Sequence, residues 1–463
     1  MTQHPASATR FAPCGPLTGM VRVPGDKSIS HRALMLSALA VGESRITGLL
    51  EGEDVLATAA AMKAFGAVIL PPDGGGSPSS SAGASGGHGD QRGTWTVYGV
   101  GVGGLLQPAS ALDMGNSGTS TRLLMGLVAS HAVTATFIGD ASLSKRPMGR
   151  VIDPLSSMGA DISASPGGRL PLMVRGIVPA VPMSYTLPVA SAQVKSAILL
   201  AGLNTPGVTE VIEPVPTRDH SERMLAGFGA DLTVEEVAGT RHIRVRGEAE
   251  LKPQTIEVPG DPSSAAFPIV AALVTPGSEV TVTNVGMNPT RTGIYRMLEA
   301  MGADLSYTNE RIVGGEPVAD VTARHSTLNA LEVPPEVVPS MVDEFPIFFV
   351  AAAMAHGTTR ASGLEELRVK ESDRLALMAG GLMALGVHID EGESSIAITG
   401  TGGEPLPGVP ANPPLIHAEL DHRIAMSFAV AGLNTRGGLS IDDMSPVATS
   451  FPGFEDMLRG LAG

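Results

Sequence analysis

Gly25-Asp26-Lys27-Ser28-Ile29-Ser30-His31-Arg32 sets a lysine, small hydroxyl residues and an arginine directly ahead of an apolar run. Such a pattern reads as the start of a helix. The first turn of a helix presents unpaired N–H groups and the positive end of the helix dipole, which favour a phosphate or a carboxylate. Ser28 and Arg32 are four residues apart and share a face, with Lys27 at its mouth. The spacing is not the Gly-x-x-x-x-Gly-Lys of a nucleotide-binding loop, so nucleotide binding does not follow. A capped helix with incidental basic residues is the plainer alternative.

Comparable starts recur along the chain. Met114-Gly115-Asn116-Ser117-Gly118-Thr119-Ser120-Thr121-Arg122 is a small-residue turn entering a helix, and Gly118 there would let a ligand approach the backbone closely. Lys145-Arg146-Pro147 puts two cations beside a chain break. Pro188 to Lys195 opens another helix with Ser191 and Lys195 on one face and Gln193 free for a polar ligand, and Thr217-Arg218-Asp219-His220 opens the next. Arg368-Val369-Lys370-Glu371-Ser372-Asp373-Arg374 is expected to place Lys370 and Arg374 on one helical face. Like charges there cost about 0.2–0.5 kcal/mol unless an anion sits between them. An ion-paired surface helix, Glu371 reaching Arg374, is the alternative. Asp421-His422-Arg423 is the last cationic start, and Asp343 in Met-Val-Asp-Glu-Phe-Pro is its acidic counterpart. Asp343 and Glu371 are therefore the candidate proton carriers. Two look-alikes drop out. Gly99 to Gly104 resembles a dinucleotide loop but leads into Leu-Leu-Gln-Pro, not a helix. His417 and His422 lack the spacing of a zinc site, so no metal is expected.

The elements that position these residues form a loose internal repeat of six copies, each with two helices, a β-rich stretch and a closing turn such as Phe65-Gly66-Ala67 or Met301-Gly302-Ala303. The copies are too long and divergent for a solenoid. Helices alternating with short strands point to an α/β or α+β class. Six copies divide into two groups of three, and Val23-Pro24-Gly25-Asp26 and Val258-Pro259-Gly260-Asp261 are the candidate hinges, with a ligand cleft expected between the halves. At 463 residues a two-domain chain is the natural expectation. Residues 71–94 are Gly/Ser-rich and are expected to be a flexible loop within the first half.

Composition narrows the partners. A net charge of −15 argues against a broad nucleic-acid surface, which makes local clusters of Lys and Arg informative about a small anion. No apolar run is long enough to span a bilayer, and the first residues lack the apolar core of a secretory signal. Cys14 is the only cysteine, excluding an internal disulfide and a cysteine-cluster metal site. A cytoplasmic chain is expected.

Taken together, residues 24–32, Gly-Asn-Ser-Gly-Thr (115–119), Lys-Arg-Pro-Met-Gly-Arg (145–150), Ser-Ala-Gln-Val-Lys-Ser-Ala (191–197), Arg-Val-Lys-Glu-Ser-Asp-Arg (368–374) and Asp-His-Arg-Ile-Ala-Met (421–426) resemble the EPSP synthases, in wording closest to the bacterial class II branch. The resemblance covers nearly the whole chain. It implies two inside-out α/β domains, each of three βαβαββ units, with a cleft that closes on substrate; one domain would comprise residues 1–25 and 254–463, the other 26–253. It implies no cofactor, a monomer, and two small-molecule substrates. Shikimate 3-phosphate would contact Lys27, Ser28, Arg32, Ser191, Gln193, Arg218, Asp343 and Lys370. Phosphoenolpyruvate would contact Lys27, Gly118, Arg146, Gln193, Arg374 and Arg423. Asp343 would be the base and Glu371 the acid, with Lys27 a second proton carrier.

Two departures bear on that reading. Thr449 stands where some members carry a lysine two residues before the late Phe-Pro, which puts one phosphoenolpyruvate contact in question. Gly118 stands where glyphosate-tolerant class II members can carry alanine, so the resemblance implies sensitivity to glyphosate. The rival with the same architecture and donor is UDP-N-acetylglucosamine enolpyruvyl transferase, which typically uses a loop cysteine that Cys14 does not match in position. A non-catalytic anion-binding relative is the rival of another class, against which the intact Asp343 and Glu371 argue.

Overall fold

The computed structural model describes residues 8–72 and 93–463. Most of the Gly/Ser-rich stretch 71–94 therefore lies outside the described residues. The chain divides into two compact α/β units. One holds the residues up to Pro24, Pro259–Ile312 and Glu316–Gly463; the other holds Gly25–Val258 and Val313–Gly315.

In the Gly25–Val258 unit three four-stranded sheets share one plan. Each joins a short parallel first strand to a strand that then pairs antiparallel with the rest. The sheets run Leu112–Asp113, Thr134–Ile138, Arg169–Arg175, Asp161–Ser165; then Ser184–Thr186, Val208–Glu213, Thr240–Arg246, Leu232–Val237; and Thr255–Glu257, Gly42–Thr47, Trp95–Gly99, Val68–Leu70. The last of these takes its first strand from after the third copy: Thr255–Glu257 aligns with Arg45–Thr47. The division therefore falls at Val258/Pro259, and not at the 253/254 expected from the sequence, because Thr255–Glu257 is a working strand of this unit.

The other unit repeats the plan with local losses. Thr18–Arg22 pairs parallel with Glu279–Gly286 to open one four-stranded sheet. The sheet built on Thr358–Ser362 has its parallel partner reduced to the bridges Asn329–His356 and Glu332–Arg360. The third, Leu415–Ile416 beside Leu439–Ile441, is completed by Thr9–Phe11 in antiparallel register.

Each unit has its own apolar core, centred on three helices. Every residue of Pro262–Val274, Phe345–Met354 and His422–Gly432 is buried. In the other unit Lys27–Ala38, Gly118–Ala129 and Ala192–Gly202 are buried except near their first turns. A helix apolar on all sides belongs in an interior and not at a surface. Small side chains let such helices approach closely: Gly126 lies against Ala197, where a β-carbon would stand 2.2 Å from the carbonyl oxygen. That accounts for a chain with only 3 % aromatic residues. In the Gly25–Val258 unit the first turns, where the charged motifs sit, are the parts that escape the core.

Candidate functional site

Most of these helices are started by a side chain that caps its own backbone. Asp26 accepts from the Ile29 N–H at 2.8 Å, Ser117 from Ser120 at 3.2 Å, Ser191 from Val194 at 3.5 Å, and Asp421 from Arg423 at 2.9 Å. Capping satisfies some of the first-turn donors and leaves others facing outward.

In the Gly25–Val258 unit, Lys27 and Ser28 occupy the first turn of their helix and are half-buried, and the Lys27 ammonium is paired with Asp54. Arg32 is buried. Its Nε donates to Ser221 Oγ (2.8 Å), Nη1 to the Ser28 carbonyl (2.9 Å) and Nη2 to Ser196 Oγ (2.8 Å), so it ties three helices together. Around the Gly118 helix a second group gathers. Gln193 Oε1 accepts from Arg122 Nη1 at 2.8 Å while its Nε2 donates to Thr119 Oγ1 at 3.0 Å. Arg146 is buried and donates to Asn116 Oδ1 (2.6 Å) and Ser142 Oγ (3.1 Å), whereas its neighbour Lys145 is exposed. A β-carbon on Gly118 would stand 2.9 Å from Arg122 Nη1 and 3.3 Å from Arg146 Nη1. Gly118, Arg122 and Arg146 thus meet at one place, with Gln193 joined to them through Arg122. Ser191 caps the Ala192–Gly202 helix, and Arg218 lies in the turn before His220–Gly227, half-buried.

Lys195 does not belong to this group. It is fully buried, 3.0 Å from Glu213 and 2.7 Å from Glu222, and serves as an internal ion pair. Arg122 was not singled out as a candidate from its spacing; its position four residues after Gly118 is the signal that places it.

In the other unit a cluster of charged side chains forms around one arginine. Arg374 is 1 % exposed and donates Nε to Asp421 Oδ2 (2.8 Å), Nη1 to Asp343 Oδ1 (3.2 Å) and Nη2 to Glu371 Oε2 (2.6 Å). Burial opposes its charge, but Asp421, Glu371 and Asp343 outweigh burial and hold it above the usual guanidinium range. Burial likewise works against the Asp421 carboxylate, and Arg374 overcomes it, leaving Asp421 below the usual range. Lys370 Nζ lies 3.5 Å from Asp343 Oδ1, and Arg423 Nη1 donates to the Asp343 carbonyl at 3.2 Å.

The geometry corrects one expectation. Lys370 and Arg374 do not share a helical face. A 3₁₀ turn Glu365–Val369 ends before Lys370, and the α-helix begins at Arg374, capped by Asp373, which accepts from Ala376 N at 3.0 Å. The two cations meet at Asp343, not along a helix. Of the remaining candidates, Thr449 turns its hydroxyl onto the Pro446 carbonyl. His417 is exposed beside Asp442, while Cys14 packs against the core. Residues 100–111 form no helix, so the Gly99–Gly104 segment opens none.

Against this geometry, the family model described as EPSP synthase (3-phosphoshikimate 1-carboxyvinyltransferase) matches residues 11–458. The chain belongs to the EPSP synthase family. A 3-phosphoshikimate 1-carboxyvinyltransferase of Sphingopyxis alaskensis is 65 % identical over the full length of both chains. One from Zymomonas mobilis is 64 % identical, covering 98 % of this chain and 95 % of its own. The solved EPSP synthase of Acinetobacter baumannii superposes with a TM-score of 0.83 at 45 % identity, covering 98 % of each chain. With the EPSP synthase family comes its two-domain α/β fold, and the two compact units described above are the α/β bodies of this chain.

Proposed function

We infer that this chain transfers the enolpyruvyl group of phosphoenolpyruvate to the 5-hydroxyl of shikimate 3-phosphate, giving 5-enolpyruvylshikimate 3-phosphate and phosphate. The hydroxyl oxygen attacks C2 of the donor while C3 gains a proton. The tetrahedral adduct then loses phosphate and a C3 proton, which restores the double bond. The chemistry needs a base, an acid and cations that stabilise charge on the leaving phosphate.

Asp343 takes the hydroxyl proton, and Glu371 delivers the proton to C3 and recovers it in the elimination. Lys27 is a second proton carrier. Lys27, Ser28, Arg32, Ser191, Gln193, Arg218, Asp343 and Lys370 bind shikimate 3-phosphate. Lys27, Gly118, Arg146, Gln193, Arg374 and Arg423 bind phosphoenolpyruvate, and Arg122 joins them because it touches Gln193 and borders Gly118. Each compact unit works as one domain. No cofactor is required, and the chain acts as a cytoplasmic monomer that binds neither nucleic acid nor membrane; no helix among the described residues is long and apolar enough to cross a membrane.

One observation supports the assignment of roles most directly. Arg374, buried and held charged, bonds Asp343 and Glu371 at once, so one cation orients the acid and the base together. Phosphate release from phosphoenolpyruvate, measured with shikimate 3-phosphate and with UDP-N-acetylglucosamine as acceptor, is the test. Release with the first alone is expected; release with the second alone, or with neither, rejects the reading.

A further inference from the structure

Asp343 has a difficulty as a base: two of the side chains that touch it, Arg374 and Lys370, are also proposed to bind the substrates. Both would share their charge with a bound anion, so neither is a hold on the base alone. Something that does not meet the ligand has to hold the backbone at Asp343.

The next residue does. Glu344 stands at the N-cap position of Phe345–Met354, and its carbonyl accepts from the Phe348 N–H at 2.9 Å, yet its side chain does not cap the helix. Its carboxylate is 1 % exposed, and Oε1 accepts from the hydroxyl of Ser263, in the first turn of Pro262–Val274. Ser263 Oγ in turn accepts from Arg291 Nη2 at 2.7 Å, and the same nitrogen lies 3.1 Å from Asp261 Oδ1. Asp261 Oδ1 also caps the Ser263 N–H at 2.8 Å. Arg291 is 2 % exposed, so the whole chain of contacts is sealed from water. A buried carboxylate is costly unless charge and hydrogen bonds compensate it, and on Oε1 that compensation comes from Ser263, itself held by Arg291.

We propose that Glu344, through Ser263 and Arg291, is the positioning residue that sets where the Asp343 carboxylate stands. This rests on Asp343 being the base. The buried network locks the entry of the Phe345 helix from the side of Asp261, while Arg423 holds the Asp343 carbonyl from the other. A base displaced by about 1 Å loses on the order of a hundredfold in rate.

The test compares Ser263→Ala, Glu344→Gln and Asp343→Asn with the wild type in steady-state and single-turnover assays, with thermal melts to confirm folding. Ser263→Ala removes the bridge and is expected to lower kcat and the single-turnover rate by about ten- to a hundredfold, with KM for phosphoenolpyruvate, which Asp343 does not contact, within twofold. Glu344→Gln keeps an oxygen for Ser263 and should retain more activity than Ser263→Ala. Folded variants with wild-type kcat, or with KM for phosphoenolpyruvate rising in step with the lost rate, overturn the inference. Asp343→Asn separates the two layers: if that variant stays active, the base assignment fails; if it is inactive while Ser263→Ala is unaffected, only the positioning role fails.

Discussion

At the scale of single residues, the clearest consequence concerns Gly118. A β-carbon there would press on the guanidinium ends of Arg122 and Arg146, which are flexible enough to yield, so Gly118→Ala should fold. Both cations would be displaced from where a phosphoenolpyruvate phosphate is proposed to lie. The expected outcome is a raised KM for phosphoenolpyruvate and weaker inhibition by glyphosate, measured as competition against phosphoenolpyruvate; an unchanged inhibition constant rejects the steric argument. Glu371→Gln leaves Arg374 an oxygen to bond but removes a transferable proton. It should cut kcat by about 10²–10⁴-fold while shikimate 3-phosphate binding, followed by calorimetry, stays within a few-fold. Near-normal turnover would exclude Glu371 as the acid. These positions were legible because a cation or hydroxyl at a helix start is visible in sequence. What its far end meets is not. Lys195 reads like Lys27 until Glu213 and Glu222, 18 and 27 residues away, close around it.

At the scale of elements, the helix starts were readable from their caps. Asp26, Ser117, Ser191 and Asp421 each bond their own first turn, and that chemistry is local. The stretch 368–374 misled because spacing four apart suggests one helical face, while Asp373, a strong capping residue, in fact starts the helix one residue before Arg374. The packing of the central helices was not legible, since a glycine inside an apolar run does not announce what touches it. Gly126 shows the stakes. Alanine would gain about 1 kcal/mol of helix propensity, but its β-carbon would meet Ala197 backbone atoms at 2.2 and 2.7 Å, and backbone cannot swing aside. Overpacking costs about 1–3 kcal/mol and wins. Gly126→Ala is thus expected to lower the melting temperature, whereas Gly227→Ala, with nothing within 4 Å of its β-carbon, should leave it unchanged or raise it slightly. Equal melting temperatures for the two variants would contradict the packing described.

At the scale of the whole molecule, six copies of one plan were legible from recurring turns, but the strand exchange was not. A three-residue strand such as Thr255–Glu257 carries almost no periodic signal, and its partner lies some two hundred residues earlier in the chain. The acid response of the chain follows from burial instead. His31 is fully buried, with Nδ1 2.8 Å from Thr58 Oγ1 and Nε2 without a hydrogen-bond partner among the described residues. Burial foremost, then the charges of Lys27 and Arg32, hold its imidazole well below the usual range. His131 is lowered too, by burial, although its bond to the Leu127 carbonyl works the other way. Below about pH 6.5 the unfolded chain binds protons at these positions that the folded chain refuses. The stability they contribute is complete above that pH and is lost as pH falls toward their folded values, by up to about 1.4 kcal/mol per pH unit for each. Asp421 adds a loss of the same sign at lower pH, below the ordinary carboxylate range of about 3.9. His31→Asn keeps an amide for Thr58 and removes one titrating group, leaving His131 in place. Its melting temperature should therefore fall less steeply than that of the wild type between pH 7 and 5. Parallel curves would mean that His31 is not what makes the fold yield to acid.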